Sequence, residues 1–281
     1  MGKLIDILKL IRVINCLLAG VGVYIGAVLT WLVPVYYPPL YSALAAFFVC
    51  AGGNVINDIC DINTDRINHP ERVLVQKRVT TKTAWLAYVV CNLIALLLGY
   101  AVSQPVLLMV LTAIVLLAAY SLWLKGVVLV GNLVISLLAG LTFITGGVAV
   151  DTKLAFILPG PLIPAVFAFL FHLVREILKD VEDIEGDRAV ETTTLPQVIG
   201  VSTALVLSLV LFFVLTLLTY LPVFKGWFGT SYEILVVYLT DIPLLALLIF
   251  IWGNPTKRLL RIGSIALKLG MLLGLIALVS A

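Results

Sequence analysis

Residues 40–66 read LYSALAAFFVCAGGNVINDICDINTDR, an apolar run long enough to enter a bilayer that ends in three aspartates within eight positions. If the stretch is one helix, Asn57, Asp61 and Asp65 recur at i, i+4 and i+8, with Asn54 and Asp58 on adjoining positions of the same broad face. One side of that helix is then a stripe of oxygen ligands. Residues 172–188, HLVREILKDVEDIEGDR, repeat the arrangement, with Glu176, Asp180, Asp183 and Asp187 at i, i+4, i+7 and i+11, beginning one turn after His172. A merely solvated loop face needs neither helical spacing nor a second, similar cluster. Carboxylates cost about 2.5–3.5 kcal/mol each near a bilayer centre, less toward its rim, so the functional reading is preferred.

The rest of the chain fixes the class. Of 281 residues, 62% are hydrophobic and 12% charged, and the mean hydropathy is +1.18. About 25% charged residues is usual for soluble domains. Roughly 20 apolar residues cross a bilayer core, and about nine such runs occur: 13–33, 40–59, 84–101, 106–124, 127–150, 162–178, 201–221, 232–252 and 262–280. The expectation is an all-α, polytopic membrane bundle of about nine transmembrane helices around a central cavity, one domain over residues 1–281. A soluble enzyme with Asp-rich helices would show amphipathic helices, whereas these are apolar all round. The first run is too long for a secretory signal and reads as a retained helix.

Lys and Arg collect in alternate loops, with only Lys153 and Lys225 in the opposite ones. This bias places the N-terminus and both acidic stretches at the cytoplasmic face and the C-terminus outside, in a prokaryotic cell membrane. Membrane lipids are the expected surroundings, and the net charge of +3 gives no reason to expect nucleic acid. Cys16, Cys50, Cys60 and Cys91 have no metal-ligand spacing.

Two acidic stripes brought together repel, by on the order of 2–3 kcal/mol per carboxylate pair at about 6 Å. A cation between them removes that cost. Carboxylate and amide oxygens suit Mg²⁺, which usually completes its shell with waters and substrate phosphates. A diphosphate substrate follows, with Arg72, Lys77, Arg78, Lys125, Arg175 and Lys179 available for the remaining phosphate oxygens. The apolar bundle accommodates a long hydrocarbon tail. A cation transporter is the rival class, but transporter sites usually lie at the midplane on broken helices, and these acids cluster at helix ends.

The same residues resemble the UbiA-type intramembrane prenyltransferases. Asn57-Asp58-x-x-Asp61-x-x-x-Asp65 is similar to the first Asp-rich motif of that family and Asp183-x-x-x-Asp187 to the second. Arg12-x-x-Asn15, Asn68-x-Pro70-x-Arg72, Tyr120-Ser121 with Lys125, and Thr194-Leu195-Pro196 resemble smaller family elements. The resemblance implies that Asn57, Asp61, Asp65, Asp183 and Asp187 hold Mg²⁺ on a prenyl diphosphate, helped by Asp58 and Asp180. It implies catalytic parts for Asp61, Asp183, Lys125 and Tyr120. Phosphate or reaction-site contacts fall to Arg72 and Arg78, with Arg12 and Asn15 near the reacting end and Asn54, Arg175 and Lys179 contributing to binding. The chain departs from the family pattern at residues 72–78, RVLVQKR, where prolines and a glycine are usual, and Lys77 adds a charge there that suits an acceptor phosphate.

Within the family, REILKDVEDIEGD and the compact length are most similar to the digeranylgeranylglyceryl phosphate synthase branch. That branch implies transfer of a geranylgeranyl group to a lipid acceptor, geranylgeranylglyceryl phosphate. An aromatic acceptor such as 4-hydroxybenzoate is the alternative. Asn132 and Ser136 read as interhelical hydrogen-bonding groups, His172 as a structural histidine with a weaker claim to proton transfer, and Trp31, Trp85, Trp123, Trp227 and Trp252 as interfacial anchors.

Overall fold

A computed structural model describes residues 2–30, 37–189 and 193–280. The expected end of the first span and Trp31 lie outside these. The described residues form helices and no strand: α1 (Gly2–Leu10), α2 (Val13–Val28), α3 (Tyr37–Cys60), α4 (Ile62–Asn68), α5 (Thr81–Val102), α6 (Gln104–Leu122), α7 (Val130–Val150), α8 (Leu162–Glu182), α9 (Ile184–Ala189), α10 (Leu195–Ile199), α11 (Val201–Phe224), α12 (Thr230–Glu233), α13 (Ile242–Gly253) and α14 (Lys257–Val279). A π-helical segment, Ile234–Asp241, joins α12 to α13, so that Thr230–Gly253 is one continuous rod.

In lipid every backbone polar group must be satisfied internally, which leaves helices as the economical spanning element for these apolar runs. Seven described helices are long and apolar enough to cross a membrane. Two of the nine expected spans fall short of that description. Helix α2 has 16 residues, and α8 carries Arg175, Glu176 and Lys179 in its last turns. Helix α2 packs against α3 and α7 and leaves Ile14, Leu17 and Val28 exposed, and α8 packs against α7, α11 and α14. The outward faces are apolar, as lipid contact requires: Leu86, Leu97, Tyr100, Val210 and Phe250 are all more than half exposed. Trp85, Trp123 and Trp252 are also exposed, whereas Trp227 packs partly against the core.

Helix starts follow local chemistry. The hydroxyls of Thr80, Ser103 and Thr256 accept from the backbone N–H groups of Thr83, Val106 and Leu259, capping α5, α6 and α14. Glycine sets the closest helix crossing. A Cβ on Gly146 would lie 1.8 Å from the carbonyl oxygen of Val23, and one on Gly26 would lie 2.1 Å from that of Phe143, so α2 and α7 meet backbone to backbone.

Both acidic stretches bend in the same way. Asp61 separates α3 from α4 with φ −91° and ψ 6°, and Asp183 separates α8 from α9 with φ −93° and ψ 3°. The hydrogen bonds continue through each bend, from the Asp61 N–H to Asn57 and from the Asp183 N–H to Lys179. Each long helix thus hands over to a short one at an aspartate. The short helices α4 and α9 then touch.

Candidate active site

The two acidic stretches meet where Gly186 faces Asn68. A Cβ at position 186 would stand 2.3 Å from the Asn68 side-chain nitrogen, which donates to the Asp183 carbonyl oxygen at 3.2 Å. His69 reaches across as well, its Nε2 3.5 Å from an Asp183 carboxylate oxygen. The expected juxtaposition of the stripes is therefore present. Asp61, Asp65, Asp180, Asp183 and Asp187 line a single polar pocket together with Glu176.

Cations from three elements enter that pocket. Lys125, on the turn after α6, ion-pairs with Asp61 Oδ2, which also accepts from Asn57 Nδ2 at 2.8 Å. Arg72 ion-pairs with Asp65 and lies 3.0 Å from Asp58 Oδ1. Lys179 lines the pocket from α8. Asn132 donates to Asp180 Oδ2 at 2.8 Å, the interhelical role expected of it, and Ser136 donates to the Asn132 carbonyl at 2.6 Å. Six carboxylates face three fixed cations, Arg72, Lys125 and Lys179.

Burial shapes the titration of the rim acids. It pushes Asp65 up to about 6 despite the opposing charge of Arg72, and it pushes Asp187 up to about 6 despite Lys125. Burial acts in the same direction on Asp183, but the contact with His69 and the charge of Lys179 outweigh it and hold that carboxyl below its ordinary range.

The polar pocket adjoins a cavity of about 1330 Å³ that shares Asn68, His69, Arg72, Tyr120, Lys179 and Asp183 with it. From this rim the cavity runs into the apolar interior, past Leu117, Phe143 and Phe167 to Val236 and Leu278. Arg12, Asn15, Asn54, Asn57 and Arg175 line its wall. Arg12 itself has a left-handed backbone, φ 53°, an uncommon conformation for a residue with a Cβ. From the break between α1 and α2 its guanidinium pairs with Asp58 and bonds Asn54 Oδ1 at 3.4 Å.

Three of the expected site residues lie outside both cavities. Asp58, expected to help hold metal, lines neither cavity and is consumed by Arg12 and Arg72, which it fixes in place. Arg78 turns away to Asp6, at 2.8 Å, and to the Glu71 carbonyl. Lys77 is exposed, with φ 55°, and lines neither cavity. Thr194, of the Thr-Leu-Pro element, lines the polar pocket, and Glu182, Lys257, Arg258, Arg261 and Lys268, given no site role in the sequence, line the cavity. Those on α14 were legible only as loop charges and one stray lysine.

The donor set offers carboxylate and hydroxyl oxygens, the hard ligands that Mg²⁺ takes. Among the described residues no three His, Cys, Asp or Glu side chains are close enough to share one ion. The set still fits a hard cation: its carboxylates outnumber its cations, and the buried Thr194 Oγ1 in the pocket has no hydrogen-bond partner. Mg²⁺ ordinarily takes one or two carboxylates plus substrate phosphates and water, which this arrangement can supply.

A helical membrane bundle with acid-rich helix ends above a deep apolar cavity defines the class of membrane-embedded prenyltransferases. The chain belongs to the UbiA prenyltransferase family, whose model matches residues 13–277. It is 35% identical over 279 residues to the digeranylgeranylglyceryl phosphate synthase of Methanopyrus kandleri, covering 98% of each chain, and 31% identical over 271 residues to that of Methanosphaera stadtmanae, covering 96% of each. A solved structure from work on digeranylgeranylglyceryl phosphate synthase in membranes superposes with a TM-score of 0.72 at 32% identity, covering 100% of this chain and 99% of that one. A UbiA homolog from Archaeoglobus fulgidus bound to GPP and Mg²⁺ shares the fold, with a TM-score of 0.63 at 18% identity over 98% of this chain and 99% of that one.

Proposed function

We propose that the protein transfers a geranylgeranyl group from geranylgeranyl diphosphate to the free hydroxyl of geranylgeranylglyceryl phosphate. The observation that carries this reading is the union of a charged rim with a cavity of about 1330 Å³. Ligand pockets for drug-sized molecules span roughly 300–1,000 Å³, so the space suits long-tailed substrates. The similarity to the archaeal synthases supports the choice of acceptor.

Asp61, Asp65, Asp183 and Asp187, with Asn57 and Asp180 behind them, are the groups that would hold Mg²⁺. When bound, it supplies positive charge against the diphosphate leaving group. Lys125, Arg72 and Lys179 add fixed positive charge at the same place. The allylic C–O bond breaks, the acceptor hydroxyl oxygen bonds to the freed carbon, and the hydroxyl proton passes to a rim carboxylate as diphosphate departs. Tyr120, buried between pocket and cavity, shapes the passage between head and tail. The apolar walls keep water from the electron-poor carbon. His172 Nδ1–H donates to the Ala168 carbonyl oxygen, 3.0 Å away, which favours its structural role. The rim faces the cytoplasm in this reading, because the basic segments gather there: Arg78 pairs with Asp6 and Lys257 with Glu185 beside the acid-rich helices.

The test is product mass from purified protein given Mg²⁺, geranylgeranyl diphosphate and each candidate acceptor. Ether-linked digeranylgeranylglyceryl phosphate is expected, with diphosphate released only when acceptor is present. Product from 4-hydroxybenzoate alone would sink the reading.

Metal binding should depend on pH. Asp65 and Asp187 both titrate near 6, above the ordinary 3.8. Their ionisation opposes folding, so the metal-free protein loses stability as pH rises from about 4 through 6. Bound Mg²⁺ reverses that penalty and competes with the two protons. Its apparent affinity should fall roughly a hundredfold between pH 7 and pH 5. Unfolding temperature with and without Mg²⁺ checks this, and an equal Mg²⁺-induced rise at both pH values would refute it.

A further inference from the structure

Helix α14 carries a stripe of basic residues that the diphosphate rim does not use. Lys257, Arg261, Ser264 and Lys268 recur at i, i+4, i+7 and i+11, which puts them on one face. All four line the large cavity, and Arg258 lies beside them. Lys257 is paired with Glu185 and Ser264 with Glu182, at 3.0 and 2.6 Å. Among the described residues Arg261 and Lys268 make no ion pair.

Lys268 sits about 10 Å further along the helix axis than Arg261, in the otherwise apolar run IGSIALKLGMLLG. An ionisable side chain so placed is costly and is retained for a partner. The charges that act on it are mostly of its own sign, from Arg175, Arg12 and Lys179, with Glu182 the one opposing carboxylate. Arg175, on α8, lines the same cavity, and its buried Nε–H has no hydrogen-bond partner although its Nη1 holds Glu176 at 2.6 Å. Like charges close to Lys268, and a buried Arg175 donor without a partner in the same cavity, suit an anion.

We propose that Arg261 and Lys268, with Arg175 in the same cavity, bind the phosphate monoester of the acceptor lipid, separately from the diphosphate held by the Asp-rich rim. This rests on the reading of the function given above. It explains why the pocket and the cavity together have two sets of cations: Lys125, Arg72 and Lys179 line the acid-rich pocket, whereas Arg261 and Lys268 line only the cavity. One set takes the donor head and the other the acceptor head. Each lipid tail then extends into the shared apolar cavity, and the acceptor hydroxyl is brought toward the rim.

The experiment is equilibrium binding of geranylgeranylglyceryl phosphate and of its dephosphorylated form, geranylgeranylglycerol, to the full-length protein in detergent, without donor. Wild-type protein should prefer the phosphorylated lipid by tenfold or more. Lys268→Ala and Arg261→Ala should each weaken its binding at least tenfold and shrink the preference, with binding of geranylgeranyl diphosphate changed less than twofold. Lys268→Arg should restore most of the preference, which a merely misfolded site would not do. Phosphatidylglycerol, a phosphodiester, should not compete. Equal binding of the two lipids by wild type, unaltered binding by both alanine variants, or full competition by phosphatidylglycerol would each overturn the proposal. Turnover is scored separately: wild type that binds the phosphate lipid on these residues without prenylating it would sink the functional reading and leave the anion site standing.

Discussion

Asp61→Ala is expected to lower the rate of prenyl transfer by about a thousandfold, with little change in the unfolding temperature. Asp61 lies at the bend between α3 and α4, where Asn57 and Lys125 converge on one carboxylate oxygen. In the proposed mechanism its removal takes away a ligand for the cation on the diphosphate, and it lets Lys125 swing from its place. Losing one preorganised electrostatic contact typically costs a hundred- to a thousandfold in rate, and losing an anchor of the metal as well puts this variant at the upper end. Folding suffers less, because the Lys125 side chain is 26% exposed and can be hydrated once its partner is gone. Asp61→Asn, which keeps the shape and removes the charge, should be nearly as inactive. Acceptor-dependent diphosphate release measures both variants. Activity within tenfold of wild type would show that this carboxylate does not hold the metal.

The second large effect is on the scaffold. Gly146→Leu should destabilise the protein by roughly 4 kcal/mol or more, among the largest losses a single substitution produces. The obstruction is main chain, since a Cβ there meets the Val23 carbonyl oxygen at 1.8 Å and the Ala27 nitrogen at 2.7 Å. No rotamer change relieves it, so α2 must separate from α7. Because Arg12 and Asn15 enter the cavity from the start of α2, that separation also moves them relative to the Asp-rich rim. Gly146→Ala should show the same effect at smaller size, since the first carbon already collides. Unfolding in detergent followed by circular dichroism, with the yield of monodisperse protein, tests both. Wild-type stability in the leucine variant would mean that the two helices are not in backbone contact.

Some of this architecture was readable in the chain because its causes are local. Apolar runs of bilayer length specify helices wherever lipid surrounds them, since the backbone has no other partner there. The i, i+4 spacing of Asn57, Asp61 and Asp65 specifies a shared face because a helix repeats every 3.6 residues. Asn132 could be recognised as an interhelical donor for the same reason, although its acceptor, Asp180, could not.

The remainder depended on which distant segments meet. Asp58 looks like any other member of the first acidic stretch, yet Arg12, 46 positions away, and Arg72 occupy it. Arg78 looks like a phosphate ligand until Asp6, 72 positions away, takes it. The basic stripe of α14 acquires meaning only when Ser264 reaches Glu182 across 82 positions and sets that face against the cavity. Sequence alone determined that this chain is an all-helical membrane protein with two acid-rich helix ends, because hydropathy and helical periodicity act within a few turns. Tertiary structure decided which charges neutralise one another and which stay free for a substrate, because ion pairing depends on distance in space, not on separation along the chain.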